Sequence, residues 1–133
     1  MKKMLILLLL MVSTNVFAEW TRYGDSADGD ATVYIDVETI KRKGHKVKMW
    51  RLMDFKTVQI FKGDNNTRYL SSITYNEYDC EEQTTRMLDF YQYSGKMRQG
   101  EIVYSAPNIK NEAESILPGS IAEGLFKLVC GKK

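Results

Sequence analysis

The chain has 133 residues, of which 44% are hydrophobic and 27% are charged, a composition typical of one globular domain. Lys and Arg number 19 against 17 Asp and Glu, so the formal net charge is only +2. This balance excludes nucleic-acid binding driven by the overall field of the protein, because that mode needs many uncompensated cations against phosphates.

The first 18 residues have the three parts of a cleavable export signal. Lys2 and Lys3 form the positive n-region, Leu5 to Val12 form the apolar core, and Val16-Phe17-Ala18 supplies the small residues that a signal peptidase reads. The apolar core is too short to span a bilayer, which needs about 20 residues, and no later segment approaches that length. We therefore expect an exported protein, periplasmic or secreted, without a transmembrane segment.

Cleavage is predicted between Ala18 and Glu19, which leaves residues 19–133 as a single mature domain. The signal carries two lysines and no acidic residue, so the mature chain has 17 basic and 17 acidic residues. Any binding of an anionic partner must then depend on a local patch rather than on net charge.

Period-two patterns predict about six strands along most of the mature chain. Both alternating sets of residues 47–55 contain large apolar side chains, which indicates a central strand partly covered on both faces. One helical turn is expected within 36–40, and turns are expected at 24–30, 43–45, 62–66 and 95–100. The predicted strands are 19–23, 32–37, 47–55, 68–80, 84–94 and 101–105.

After a Pro-Gly pair the pattern becomes helical. Ser120 and Glu123 have the spacing of a capping box, and Gly131 is placed to end the helix after Cys130. We expect the helix to pack on the sheet through one apolar stripe, formed by Ile121, Leu125, Leu128 and Val129.

The two cysteines, Cys80 and Cys130, are predicted to form a disulfide, because an even count in an exported chain indicates pairing and two cysteines allow one pairing. Closing the loop of about 50 residues between them stabilises the folded protein by about 4 kcal/mol in the chain-entropy model. The bond would hold the C-terminal helix on the sheet.

Several short segments occur in a set order along nearly the whole mature chain: Trp20, Val33-Tyr34-Ile35-Asp36, Ile40, Gly44, residues 47–55, Asp79-Cys80, Tyr93-Ser94, Leu117-Pro118-Gly119-Ser120 and Val129-Cys130. This ordered set resembles the surface-adhesin protein E family of Gram-negative bacteria. The resemblance implies an α+β fold, a curved antiparallel sheet with a C-terminal helix tethered by the disulfide. It also implies an adhesin that binds host extracellular-matrix and plasma proteins. The family's best-known adhesin is a lipoprotein, whereas this chain has no cysteine in or just after the export signal.

Positive charge is concentrated at one hairpin tip, where several cations can meet a sulfated glycan or an acidic protein patch. The alternative is a charged tip that only keeps the turn soluble. These candidate partner-binding residues are Lys41, Arg42, Lys43, Lys46 and Lys48.

A second candidate surface is the aromatic set on the late strands, since tyrosines give large and rigid contact area with a polar end. Core packing under the helix is the alternative interpretation of most of them. The set is Tyr69, Tyr75, Tyr78, Phe90, Tyr91, Tyr93 and Tyr104.

Catalytic residues, cofactors and metals are not expected. The single histidine, His45, lies beside a turn, and the carboxylates around Cys80 have the character of a polar hairpin loop. We therefore expect a non-enzymatic adhesin-like protein that binds a host matrix protein or another macromolecule. The alternative is a periplasmic binding or accessory module that is not surface displayed. The oligomeric state stays open, with a homodimer as one alternative.

Overall fold

A computed structural model describes residues 19–61 and 66–131, which form one β-sheet, one 3-10 turn (Val37–Thr39) and one helix. The predicted export signal and most of the predicted turn at 62–66 lie outside the described residues. The helix, α1, covers Ile121–Cys130. The strands are β1 (Thr21–Asp25), β2 (Ala31–Ile35), β3 (Lys41–Lys43), β4 (Lys46–Phe61), β5 (Thr67–Asp79), β6 (Thr84–Tyr93), β7 (Ile102–Ala106) and β8 (Glu114–Ser115).

The sheet is antiparallel, with β1, β2, β4, β5, β6 and β7 as successive neighbours. These are the six strands that the sequence predicts. The two short strands were not predicted, because three or two residues give no measurable alternation. Strand β3 pairs with the start of β4, and β8 pairs with the start of β6.

The sheet is strongly curved, as the family resemblance implied. Phe61 in β4 and Tyr104 in β7 have ring centroids 4.8 Å apart, although two strands lie between them in the sheet. Strand spacing would separate the backbones at these positions by roughly 14 Å in a flat sheet. Register shifts in β4, β5, β6 and β7 accompany this curvature, since bulges bend a strand and increase its twist.

Helix α1 begins and packs as its sequence predicts, with one exception. The Ser120 hydroxyl accepts a hydrogen bond from the Glu123 N–H at 3.2 Å, which caps the first turn. Leu125 and Val129 are buried against the sheet, but Leu128 of the predicted stripe is 51% exposed. Leu128 lies about 100° around the helix from Val129, which places it at the edge of the buried side.

The two faces of the sheet carry separate cores. The face under α1, called the helix face, contributes four buried residues to a cluster with the helix: Ile35, Val47, Met49 and Tyr78. The other side, called the opposite face, has its own cluster around Leu52, Ile73 and Tyr93. Strand β4 therefore has fully buried side chains on both faces, which confirms the prediction of a central strand that is at least partly covered on both faces.

A loop folds over the opposite face where β6 ends, within the turn predicted at 95–100. The Met97 N–H donates to Asp54 Oδ1 at 2.8 Å, and the Arg98 N–H donates to Ser71 Oγ at 2.9 Å. The same Ser71 hydroxyl donates to the Gly95 carbonyl at 2.7 Å. These hydrogen bonds fix the loop on the sheet, and Met97 packs against the cluster of Leu52, Ile73 and Tyr93.

Candidate interaction site

The basic tip predicted from the sequence is a tight hairpin between β3 and β4. Lys43 pairs with Lys46, so only Gly44 and His45 form the loop. Gly44 has a φ of +61°, and glycine at the first of two loop positions is what a type II′ hairpin turn requires. The turn predicted at 43–45 is therefore present, and Gly44 is the residue that allows its backbone conformation.

Four lysines of the tip lie on one side of this hairpin. Lys41 is opposite Lys48 and Lys43 is opposite Lys46, and directly opposed residues share a face of the sheet. The four lysines lie on the opposite face of the sheet, away from α1. Neighbouring residues of a strand point to alternate faces, and Val47, between Lys46 and Lys48, is buried on the helix face. We call this set the lysine hairpin: Lys41, Lys43, Lys46 and Lys48.

One nearly buried carboxylate accompanies the lysine hairpin. Glu77 Oε1 is 3.9 Å from Lys46 Nζ and 3.4 Å from Arg86 Nη2, and Glu77 Oε2 is 4.0 Å from Lys48 Nζ. The Glu77 side chain is 11% exposed, while those of Lys46 and Lys48 are 50% and 44% exposed. The two ammonium groups are therefore far more accessible to solvent than the carboxylate between them.

Arg86 is a cation of this surface that sequence reasoning missed. Arg86 in β6 pairs with Glu77 in β5, and Glu77 pairs with Lys48 in β4. Lys48 pairs in turn with Lys41 in β3, so four neighbouring strands contribute to one charged row. No local signal reveals Arg86, because its placement depends on the pairing of β5 with β6.

Arg42 is directed away from the lysine hairpin. It is opposite Val47 on the helix face, and its guanidinium donates to the carbonyl of Val129 at the end of α1. A cation at a helix C-terminus binds carbonyls that lack an intrahelical partner and interacts favourably with the helix dipole. Arg42 thus contributes to holding the helix end, and four of the five predicted residues form the exposed cluster.

The tip is also fixed to the β5–β6 turn. The Cys80 N–H donates to the His45 carbonyl at 2.7 Å, and the His45 ring lies 3.5 Å from an Asp79 oxygen and 3.4 Å from a Glu81 oxygen. Asp79 accepts hydrogen bonds from the backbone N–H groups of Glu82 and Glu81. These bonds, with Glu82 contributing most, hold the pKa of Asp79 below its usual range.

The predicted disulfide is present, with the Cα atoms of Cys80 and Cys130 5.5 Å apart. It joins the end of β5 to the last residue of α1, next to the carbonyl that Arg42 binds. The helix end, the disulfide and the hairpin tip therefore form one connected unit.

The aromatic set of the late strands is divided between the two faces. Tyr78 alone belongs to the core cluster under α1, and its pKa is raised because burial disfavours the phenolate. The rings of Phe90 and Tyr104 contact each other on the inside of the curve, 5.9 Å apart. Tyr75 stacks on Trp50 on the opposite face, where Tyr91 and Tyr93 also lie. Packing under the helix thus accounts for fewer of these rings than the sequence suggested.

Among residues 19–61 and 66–131, no group of three or more His, Cys, Asp or Glu side chains is arranged to hold a metal ion. The same part of the chain contains no helix with the length and apolar character needed to cross a membrane.

A family model described as surface-adhesin protein E matches residues 20–131. Solved structures of Haemophilus influenzae protein E have a similar fold. Crystal form II has a TM-score of 0.63 at 16% identity, with 88% of this chain and 91% of that chain covered. The selenomethionine form has a TM-score of 0.61 at 16% identity and covers 88% and 89%. Protein E from the non-typeable bacterium has a TM-score of 0.61 at 16% identity and covers 88% and 78%. No curated protein sequence matches the chain.

Proposed function

Because the chain belongs to the surface-adhesin protein E family, we propose that it is an exported, non-enzymatic, adhesin-like protein that binds an anionic macromolecule. The partner is a host matrix protein with an acidic patch or a matrix-associated sulfated glycan. The observation that carries this proposal is the lysine hairpin, in which cross-strand pairing places four ammonium groups on one face.

The lysine hairpin suits this role because it is rigid as well as charged. A two-residue loop, the bond from Cys80 to the His45 carbonyl and the disulfide restrict its motion. A fixed cluster loses less conformational entropy on binding than lysines on a mobile loop. Since the mature chain is electrically balanced, this cluster directs the approach of an anionic partner.

Export completes the proposed function. Cleavage between Ala18 and Glu19 would deliver the mature domain to the oxidising compartment that its disulfide requires. The disulfide supports export, since such bonds rarely persist in the cytosol.

Replacing the four lysines of the hairpin with glutamine is expected to weaken binding to immobilised heparin by about tenfold or more. Wild-type binding should fall as salt rises, because exposed charges are screened. The matched control replaces four lysines elsewhere, Lys56, Lys96, Lys110 and Lys127, and removes the same net charge. Affinity chromatography and surface plasmon resonance at several salt concentrations measure both variants.

An Arg42→Gln variant separates the lysine hairpin from the contact with the helix end. It should bind heparin like the wild-type protein and lose about 1–2 kcal/mol of stability, because Arg42 binds the Val129 carbonyl.

If the hairpin variant binds as well as the wild type, or if the Lys56, Lys96, Lys110 and Lys127 control weakens binding equally, the lysine hairpin is not the binding site.

A periplasmic binding or accessory module is the second candidate. The observation that favours it is the use of both cysteines in the disulfide, so neither is free to carry a lipid. Protease treatment of intact cells, followed by fractionation, separates the two functions. A surface adhesin is degraded by the protease, whereas a periplasmic module survives until the outer membrane is opened.

A further inference from the structure

The opposite face contains a cavity of about 460 Å³ that the lysine hairpin does not use. Four aromatic rings line it, together with two isoleucines, one threonine, one acidic side chain and one basic side chain. The residues that matter for its chemistry are Trp20, Trp50, Tyr91, Tyr93, Asp36 and Arg98.

The aromatic wall is held in place by stacking. Trp50 stacks on Tyr75 with ring centroids 4.7 Å apart, and it lies 6.3 Å from Tyr91. Trp20 precedes Thr21, which pairs with Ile35, so the register places Trp20 beside Asp36. The four lining rings therefore come from β4, from β6 and from the residue before β1, and the cavity exists only in the folded sheet.

Asp36 is the unusual member of this wall. It is 5% exposed, its side chain does not cap the 3-10 turn that it precedes, and it forms no ion pair among the described residues. Its backbone N–H donates to the Trp50 carbonyl, which fixes the residue at the cavity. The Asp36 carboxylate is therefore available to a cation bound beside it, and the charge interaction would be stronger in this partly desolvated site than in bulk water.

Arg98 supplies the opposite charge. Its Nε–H donates to the Tyr93 hydroxyl at 3.1 Å, and the guanidinium carbon lies 5.8 Å from the centre of the same ring. The side chain is exposed, and it forms no ion pair with a carboxylate of the described residues. A guanidinium retains further donors for a phosphate or carboxylate when one N–H is already used.

We propose that this cavity binds a small zwitterion with a quaternary ammonium group and a phosphate or carboxylate, of which phosphocholine is the type. Aromatic faces attract a quaternary ammonium through cation–π interactions, and Asp36 adds an opposite charge. A primary ammonium fits less well, because its several N–H donors need acceptors and Asp36 is the one carboxylate of the wall. Arg98 then binds the anionic end.

The two tryptophans of the chain, Trp20 and Trp50, both line the cavity, so their fluorescence reports on its occupation. Phosphocholine should change this fluorescence saturably and release or take up heat in a calorimetric titration of the mature protein. Choline should bind more weakly, and inorganic phosphate alone should leave the fluorescence unchanged. Vesicles of phosphatidylcholine test whether the headgroup is also bound on a lipid surface.

Two variants assign the ends of the ligand. Asp36→Asn should weaken binding of both phosphocholine and choline by about tenfold. Arg98→Gln should weaken phosphocholine by a similar factor and leave choline unchanged. Lys96→Gln removes a neighbouring charge of the same loop and is the control that should bind like the wild type.

The lysine hairpin plays no part in this binding, so its glutamine variant should bind phosphocholine normally. The proposal is overturned if neither phosphocholine nor choline changes the fluorescence or the heat at concentrations up to about 10 mM. A dissociation constant above this concentration would mean that the cavity is not a specific site. Equal binding by wild type and Arg98→Gln, an exposed position whose change should not unfold the protein, removes the assigned anionic end. Equal choline binding by a folded Asp36→Asn protein removes the assigned cationic end.

Discussion

Replacing Cys80 and Cys130 with serine is expected to lower the melting temperature by roughly 15 °C, because the disulfide restricts the unfolded chain. The bond closes a loop between residues 50 positions apart. In the chain-entropy model, its loss raises the conformational entropy of the unfolded chain and lowers the free energy of unfolding by about 4 kcal/mol. This is a large part of the 5–15 kcal/mol free energy of unfolding that is typical of a domain. Thermal unfolding followed by circular dichroism, with and without reductant, measures the effect.

The same replacement should also reduce heparin binding. The hairpin tip is joined to the disulfide through the hydrogen bond from the Cys80 N–H to the His45 carbonyl. Loosening the disulfide therefore allows the lysine hairpin more motion, which raises the entropic cost of binding. Two free thiols titrated in the denatured native protein would contradict both expectations, since the bond would then be absent.

Most elements of the fold could be predicted because their signals are local. Alternation over five or more residues identifies the six long strands, and the Ser120 and Glu123 pair identifies the start of α1. The cysteine count identifies the disulfide for a similar reason, since two cysteines leave no choice of partner. Gly44 likewise identifies the hairpin turn.

The remaining features depend on contacts between distant segments. The sequence does not show that Arg42 binds the Val129 carbonyl, because adjacent basic residues have the same local character on either face. It does not show the curvature that brings Phe61 to Tyr104, since this results from bulges within paired strands. The cavity was missed for the same reason, because Trp20, Asp36 and Tyr91 meet only through strand register.

The second large effect is expected at Leu125 of α1. Leu125→Ala should cost about 3 kcal/mol, because the side chain is fully buried between the helix and the sheet and its loss leaves a cavity. Leu128→Ala is the matched control, since it makes the same chemical change three residues later in the same helix. Leu128 is 51% exposed, so its change should cost less than about 0.5 kcal/mol. Urea unfolding of both variants measures the difference.

The two leucine variants also test how the helix is held. Sequence periodicity assigns both leucines to one apolar stripe, and only the packing on Val47, Met49 and Tyr78 distinguishes them. Equal losses for the two variants would mean that α1 is rotated relative to the sheet, and the Arg42 bond to Val129 would then be lost as well. A large loss at Leu125 alone supports the helix orientation in which the Val129 carbonyl lies beside Arg42 of the hairpin.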